Sequence, residues 1–510
     1  MKDIFDPRSY GAVADGHAKD TAAVQGAIDA AAAQGGTVRL AGGTFVCGTL
    51  YLKSNVALEI TNSATLLASP DIADYGTDTH HNRYRNEPEL DRCFLFAQDA
   101  ENVTICGSGV IDGNAAAFPN AGSIYRPMLL RVLRCRNVRV QNLRLLKAAA
   151  WTTAFLDSDF IWATDLHIEN HRNYNGDGLD FDGCRHVWVR GCYIDGTDDN
   201  LCLQSGGLPV QDVHISDCAF TSVCAGIRIG LKSIGEISGV VISNCTMRNV
   251  WREGIKLECT EGGSITDILV ENVTMHNVRR PIFAILNNRY RPDDLGSSVE
   301  LDHIPPIGTM ARLRFVGITA VDDEEMAHAQ RRFDNDIMGE PRFGGCRLDA
   351  NAAHPIEDVT IRDFWYTAIG GVRLADLPAA PYPEVPDRLQ APPPPRRAAR
   401  ASPAVSARLK TTNYLSAVFM TLEAMQKHMD VALTFDANDC LTEAAIANVA
   451  VVDAKGALVL PEFKNALVGT VATKAMELAK TFMPVEIRPI PQAELDSVRE
   501  MMILGTAHEC

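Results

Sequence analysis

Three acidic residues carry the chemistry that this sequence suggests. Asp177 sits in Asn175-Gly176-Asp177-Gly178, and Asp198-Asp199 begins 21 residues after it. Gathered in one place, three carboxyls supply both partners that bond hydrolysis needs: an acid to protonate a leaving oxygen and an anion to activate water. Repulsion within a tight group raises the pKa of one member, so that it holds a proton near neutral pH. Each motif also has a plain structural meaning. Asn-Gly-Asp-Gly is turn chemistry, and Asp-Asp suits a solvated loop. The two meanings part on whether the chain brings the motifs together.

The surrounding pattern says that it does. Units of the form apolar-x-apolar-x-Asn/Asp/Gly-apolar recur as Val138–Leu143, Ile161–Leu166, Val187–Cys192, Val213–Cys218, Val240–Cys245 and Ile268–Val273. Their first positions are 23, 26, 26, 27 and 28 residues apart. Alternating apolar residues at a period in the twenties mark a solenoid of β-strands. One coil cannot bury its own inner face, so it stacks on the next, about 4.8 Å away. Residues roughly one coil apart then become neighbours, and Asp177 meets Asp198 and Asp199.

At 510 residues the chain has room for two or three domains, and a solenoid can run long as one. Its 46% apolar and 22% charged residues are ordinary for a globular protein. A net charge of -16 argues against a general nucleic-acid binder. The opening Met1-Lys2-Asp3-Ile4-Phe5-Asp6-Pro7 has no apolar leader segment, and no apolar run reaches membrane-spanning length, so a cytoplasmic protein without a membrane partner is expected. Of the 14 cysteines, Cys192, Cys218 and Cys245 share one inward repeat position and read as a buried stack. No cysteine spacing suggests a metal site, and a disulfide framework is not expected.

Before the repeats, Asp20 is a candidate N-cap for an amphipathic helix with Val24, Ile28 and Ala31 on one face, ended by Gly35-Gly36. Such a helix would cover the first strand edge of the solenoid. Strands are expected at Thr37–Leu40, Leu50–Leu52, Ala57–Ile60 and Asn102–Ile105, with looser units near Leu313–Ile318 and Val359–Phe364. Residues 376–407 are rich in proline, including Pro392-Pro393-Pro394-Pro395, and read as a linker. Beyond them, helical periodicity at Ala417–Lys427 and Thr470–Ala479, with short strands between, indicates a separate α+β piece.

Residues 7–375 resemble glycoside hydrolase family 28, the polygalacturonases of the pectin-lyase-like superfamily. Tyr10-Gly11-Ala12-Val13-Ala14-Asp15-Gly16 and Gly35-Gly36-Thr37-Val38 are similar to that superfamily's opening segment. The family's Asn-Thr-Asp-Gly is matched by Asn175-Gly176-Asp177-Gly178, and its Gly-Asp-Asp by Thr197-Asp198-Asp199. The resemblance implies a right-handed parallel β-helix. It implies Asp198 as general acid, with Asp177 and Asp199 positioning and deprotonating the attacking water, and inversion at the anomeric carbon. No cofactor is implied. Two departures stand out. The family's Gly-His-Gly is here Cys224-Ala225-Gly226, and its Arg-Ile-Lys is Gly254-Ile255-Lys256. Lys256 keeps half of a sugar-carboxylate receptor, and Arg228 or Arg252 is a candidate for the missing charge. Asn175 and Tyr290 are further candidates for sugar contact. His171, His186, His214 and His276 are candidates for supporting roles only.

Residues 408–510 resemble the large lobe of class IV aminotransferases. Leu409-Lys410-Thr411-Thr412-Asn413-Tyr414-Leu415 is similar to the Schiff-base lysine segment, and Leu441–Asn448 to the strand whose glutamate, here Glu443, pairs with the pyridinium nitrogen. Leu467-Val468-Gly469-Thr470 and Gly505-Thr506-Ala507 resemble the phosphate-cradling turns. The resemblance implies pyridoxal phosphate held by Lys410, Glu443, Thr470 and Thr506. The small lobe of that family is absent here, so a fused fragment is expected.

The reading is therefore an all-β solenoid of residues 1–375, capped by an N-terminal helix and followed by a 408–510 α+β fragment. Its expected function is hydrolysis of a pectin-like polysaccharide or oligosaccharide. Two alternatives stand beside it: a glycan-binding solenoid without catalysis, and transamination by the fragment.

Overall fold

The structure, a computed structural model, describes residues 3–80, 90–119, 126–288, 305–322, 345–367, 433–436, 438–444, 447–463 and 470–504. The chain divides into two compact units, one of residues 1–372 and 378–390, the other of residues 373–377 and 391–510.

The first unit is a parallel β-helix in which, among the described residues, 29 strands join into one continuous hydrogen-bonded sheet. The repeat sets the register. Val138 pairs with Ile161, Ile161 with Val187, Val187 with Val213, Val213 with Val240 and Val240 with Ile268. The Asn/Asp/Gly position of each repeat has a backbone cause. Asn142, Asp165, Gly191, Asp217, Asn244 and Asn272 all hold φ between 52° and 66°. That left-handed corner turns the chain from one face of the coil to the next, and these three residue types adopt it most readily. The apolar residue after each corner points inward. Leu143, Leu166, Cys192, Cys218, Cys245 and Val273 are all buried. The three thiols bond carbonyls of their own turns, such as Cys218 to Ser216 at 3.1 Å, so the cysteines serve as small apolar plugs.

The expected helix is Thr21–Gln34, and it buries Val24, Ala27, Ile28 and Ala31 against the first coil. Asp20 stands at the N-cap, where its C=O accepts from Val24 N–H (2.9 Å), but its side chain makes no cap hydrogen bond. At φ -95° and ψ 3° its side chain is not aimed at the helix amides. It accepts instead from the N–H groups of Val13 (2.7 Å) and Ala14 (3.1 Å), and so fastens the preceding loop.

The second unit holds a four-stranded sheet. Asn448–Val452 runs antiparallel to Glu500–Leu504 and Leu458–Leu460, and the last of these pairs in parallel with Val485–Ile487. Helix Thr470–Ala479 packs Ala472 and Ala479 onto Ala450, Leu458 and Leu460. A hairpin of Leu433–Phe435 and Leu441–Ala444 completes it. The expected helix at Ala417–Lys427 lies outside the described residues.

Candidate active site

The acidic motifs occupy equivalent loops on successive coils. Thr152 donates its N–H to Asp177 O (2.9 Å), Gly178 to Asp199 O (3.2 Å), Asn200 to Ala225 O (3.0 Å) and Gly226 to Glu253 O (2.9 Å). Asp177, Asp199, Ala225 and Glu253 are thus one position repeated along the solenoid. Beside them runs a row set by strand register: Ala154, Asp180, Cys202, Arg228 and Lys256. Leu179 and Phe181 point into the core, so Asp180 must point out with the site. That alternation was available in the sequence, yet Asp180 was not singled out there.

Carboxylate oxygens of Asp177 and Asp199 and Cys202 Sγ lie within 4.8 Å of one another, as do those of Asp198 and Asp199 with Cys224 Sγ. Asp177 and Asp199 are buried, whereas Asp198 is half-buried. Their electrostatics differ. Burial, then Asp198, Asp180 and Asp199, push the Asp177 carboxyl well above the usual range. Burial also pushes Asp180 well up, against a hydrogen bond from the Cys202 thiol. Asp198 is raised by burial and by Asp199. For Asp199 burial acts upward too, but Arg228 and Lys256 outweigh it and the carboxyl ends below its ordinary value. The Arg228 Nη1 lies 2.6 Å from Asp199 Oδ2, and Ala225 N–H donates to Oδ1 at 3.0 Å. The guanidinium against the carboxylate that both acid–thiol groups share already supplies positive charge, and no ion is assigned there.

Two sequence departures explain each other. A Cβ on Gly176 would lie 2.2 Å from the Thr197 hydroxyl. That hydroxyl donates to Asn173 O (2.6 Å) and accepts from Gly176 N–H (3.1 Å). Glycine and threonine have traded places between two adjacent coils, and the hydroxyl stays in the loop. Arg126, which no local sequence pattern marks, is buried beneath the same loop. It donates to Tyr174 O (2.5 Å) and to Asn175 Oδ1 (2.7 Å). Asn175 itself has φ 57°. Arg126 is 49 residues away in the chain, so only coil stacking reveals it.

The expected sugar-binding residues fare unequally. Lys256 stands beside Arg228 in the row, but Nζ lies 3.5 Å from Glu253 and 3.6 Å from Glu258. Glu253 in turn meets Arg280 at 2.7 Å. Arg252 lies in the field of Cys224, Glu253 and Asp198. Gly254 leaves no room for the arginine it replaces, since a Cβ there would meet Met275 Cε and Pro281 O at 2.9 Å. Tyr290 lies outside the described residues. His171 pairs with Asp195 at 3.0 Å, while His186 and His214 share Asp212 on the surface.

Residues 45–300 match the sequence model of glycosyl hydrolases family 28, which is half of the chain. The chain belongs to that family. Among curated relatives of this family 28 chain, a probable polygalacturonase of Vitis vinifera is 27% identical over 262 residues, 45% of this chain and 52% of that one. An exo-poly-alpha-D-galacturonosidase of Dickeya chrysanthemi is 25% identical over 254 residues, covering 40% and 42%. The chain thus spans about half the length of the curated relatives it matches. An exopolygalacturonase structure from Thermotoga maritima aligns with TM-score 0.59 and 21% identity over 72% of this chain and 87% of the other, which bears out the β-helix fold.

Residues 377–510 match amino-transferase class IV. Of the residues expected to hold pyridoxal phosphate, Glu443 lies on strand Leu441–Ala444, where its N–H and C=O both bond the Thr434 hydroxyl, and Thr470 opens helix Thr470–Ala479. Lys410 and Thr506 lie outside the described residues.

Proposed function

We propose that this family 28 chain hydrolyses glycosidic bonds of a pectin-like polysaccharide or oligosaccharide. The observation that carries the reading is the gathering of three carboxyls from successive coils: oxygens of Asp177 and Asp199, and of Asp198 and Asp199, lie within 4.8 Å of each other, with the Arg228 guanidinium against Asp199. Asp198, the least buried of the three, protonates the leaving glycosidic oxygen as the C1–O bond breaks. Asp199 takes a proton from the water that attacks C1. Asp177, whose carboxyl burial and the neighbouring acids push well up, orients that water. The cycle leaves a proton on Asp199 and none on Asp198, and exchange with solvent resets both. An acid and a base poised in this way contribute on the order of 10²–10⁴-fold each.

Asp198→Asn should remove reducing-sugar release from polygalacturonate and rhamnose-containing pectic polymers, with the circular dichroism of the β-helix unchanged. Proton NMR of the first product formed by the wild type should show the inverted anomer. Release undiminished in Asp198→Asn would remove that residue from the mechanism.

A further inference from the structure

The sequence offered Arg228 as a receptor for a substrate carboxylate, and its surroundings point elsewhere. Its side chain is 11% exposed and lies against a carboxylate, that of Asp199, which is 0% exposed. Ala225 N–H donates to the other oxygen, so Asp199 has a hydrogen bond on Oδ1 and an ion pair on Oδ2, both from the next coil. The guanidinium thus meets one of the protein's own acids at 2.6 Å.

We propose that Arg228 is a positioning residue for Asp199: it fixes that side chain as the anion that accepts the proton of the attacking water. The proposal rests on the hydrolase reading above. It also accounts for how the site tolerates Ala225 in place of histidine, because the charge that steadies the acid group arrives three residues later, on the strand Ile227–Ser233. Other charged or titratable groups facing Asp199 are Asp177, Asp180 and Cys202 from the preceding coil and its strand, Asp198 beside it, and Cys224, Arg252, Glu253 and Lys256 from the following coils. Of the cations, Arg228 acts most strongly on Asp199 and Lys256 next. Lys256 is itself shared with Glu253 and Glu258, so it cannot take over the role.

The test compares wild type with Arg228→Gln and Arg228→Lys. An opposite charge at this range lowers an aspartate pKa by about 1–3 units. The acid limb of kcat/KM should therefore move up by roughly one pH unit or more in Arg228→Gln, and by less in Arg228→Lys, which keeps the charge. An unmoved acid limb, together with a KM that rises for galacturonate oligomers but not for neutral ones, would overturn the proposal in favour of a substrate receptor. A second measurement needs no turnover. Infrared titration of protein carrying ¹³C-carboxyl aspartate should show one aspartate ionised to lower pH in wild type than in Arg228→Gln, and equal titrations would refute the role. Should wild type release sugar from no polymer, the hydrolase reading fails while this titration still decides what Arg228 does to Asp199. Should Arg228→Gln not fold, Arg228→Lys carries both measurements.

Discussion

Replacing Asp177 with asparagine should end hydrolysis and yet make the solenoid more stable at neutral pH. Asp177 is 3% exposed, and its Oδ1 has no hydrogen-bond partner among the described residues. Burial and three neighbouring carboxyls hold its folded-state pKa well above that of the unfolded chain. Between those two pKa values the native state binds a proton that the unfolded chain has released, so native stability falls as pH rises through that window. Each unit of separation costs about 1.4 kcal/mol once the pH exceeds the folded value. Asparagine has nearly the same shape and no proton to lose, and it escapes that cost. The variant should match wild type near pH 4, gain on it as pH rises, and level off above the folded pKa. One kcal/mol shifts Tm by roughly 2–4 °C in a domain of 150–250 residues, and by less in a longer one. Calorimetry at pH 4, 6 and 8 reads the difference directly. A variant no more stable than wild type at pH 8, or a difference independent of pH, would refute this account of the acidic cluster.

Asp199→Asn should act in the opposite sense. It removes from buried Arg228 the carboxylate 2.6 Å away, a loss of up to about 3–5 kcal/mol for a broken buried pair, visible as a lower urea midpoint at pH 7; an unchanged midpoint would mean the pair contributes nothing. Gly254→Arg, which restores the family's residue, should lower stability and not improve KM for galacturonate oligomers, because its Cβ would press on Pro281 O and Met275 Cε at 2.9 Å; a tighter KM in a folded variant would count against that packing argument.

Much of this architecture is legible in the sequence alone. The corner residues from Asn142 to Asn272 announce both the period and the face on which each side chain falls, and that alone brings Asp177 to Asp199. What escaped the reading depends on contacts between coils that no local pattern encodes. Asp20 has the identity of a helix cap, but its backbone angles decide where its carboxylate goes. Arg228 announced a charge in the cleft without saying which anion it serves. Arg126 lies two coils back along the chain, and nothing in its neighbourhood marks it as the support of Asn175. The pairing of Gly176 with Thr197 was visible as two separate mismatches, and only the 2.2 Å approach makes them one exchange.

The same logic links the departures that first looked like losses. Coil stacking makes positions 177, 199, 225 and 253 equivalent, so a group removed from one can be supplied from the next. Ala225 offers only its backbone N–H to Asp199, and Arg228 from the adjoining strand provides the charge. A side chain at Gly254 would press on Pro281 O and Met275 Cε, and Glu253 next to it holds both Lys256 and Arg280. Each of these three cations thus faces a carboxylate of the protein itself, which favours the ionised form of that acid. In a buried cluster that choice matters more than the number of acids present, since several unpaired carboxyls would simply all protonate. Arg228, by selecting Asp199, is what gives three neighbouring aspartates unequal parts to play.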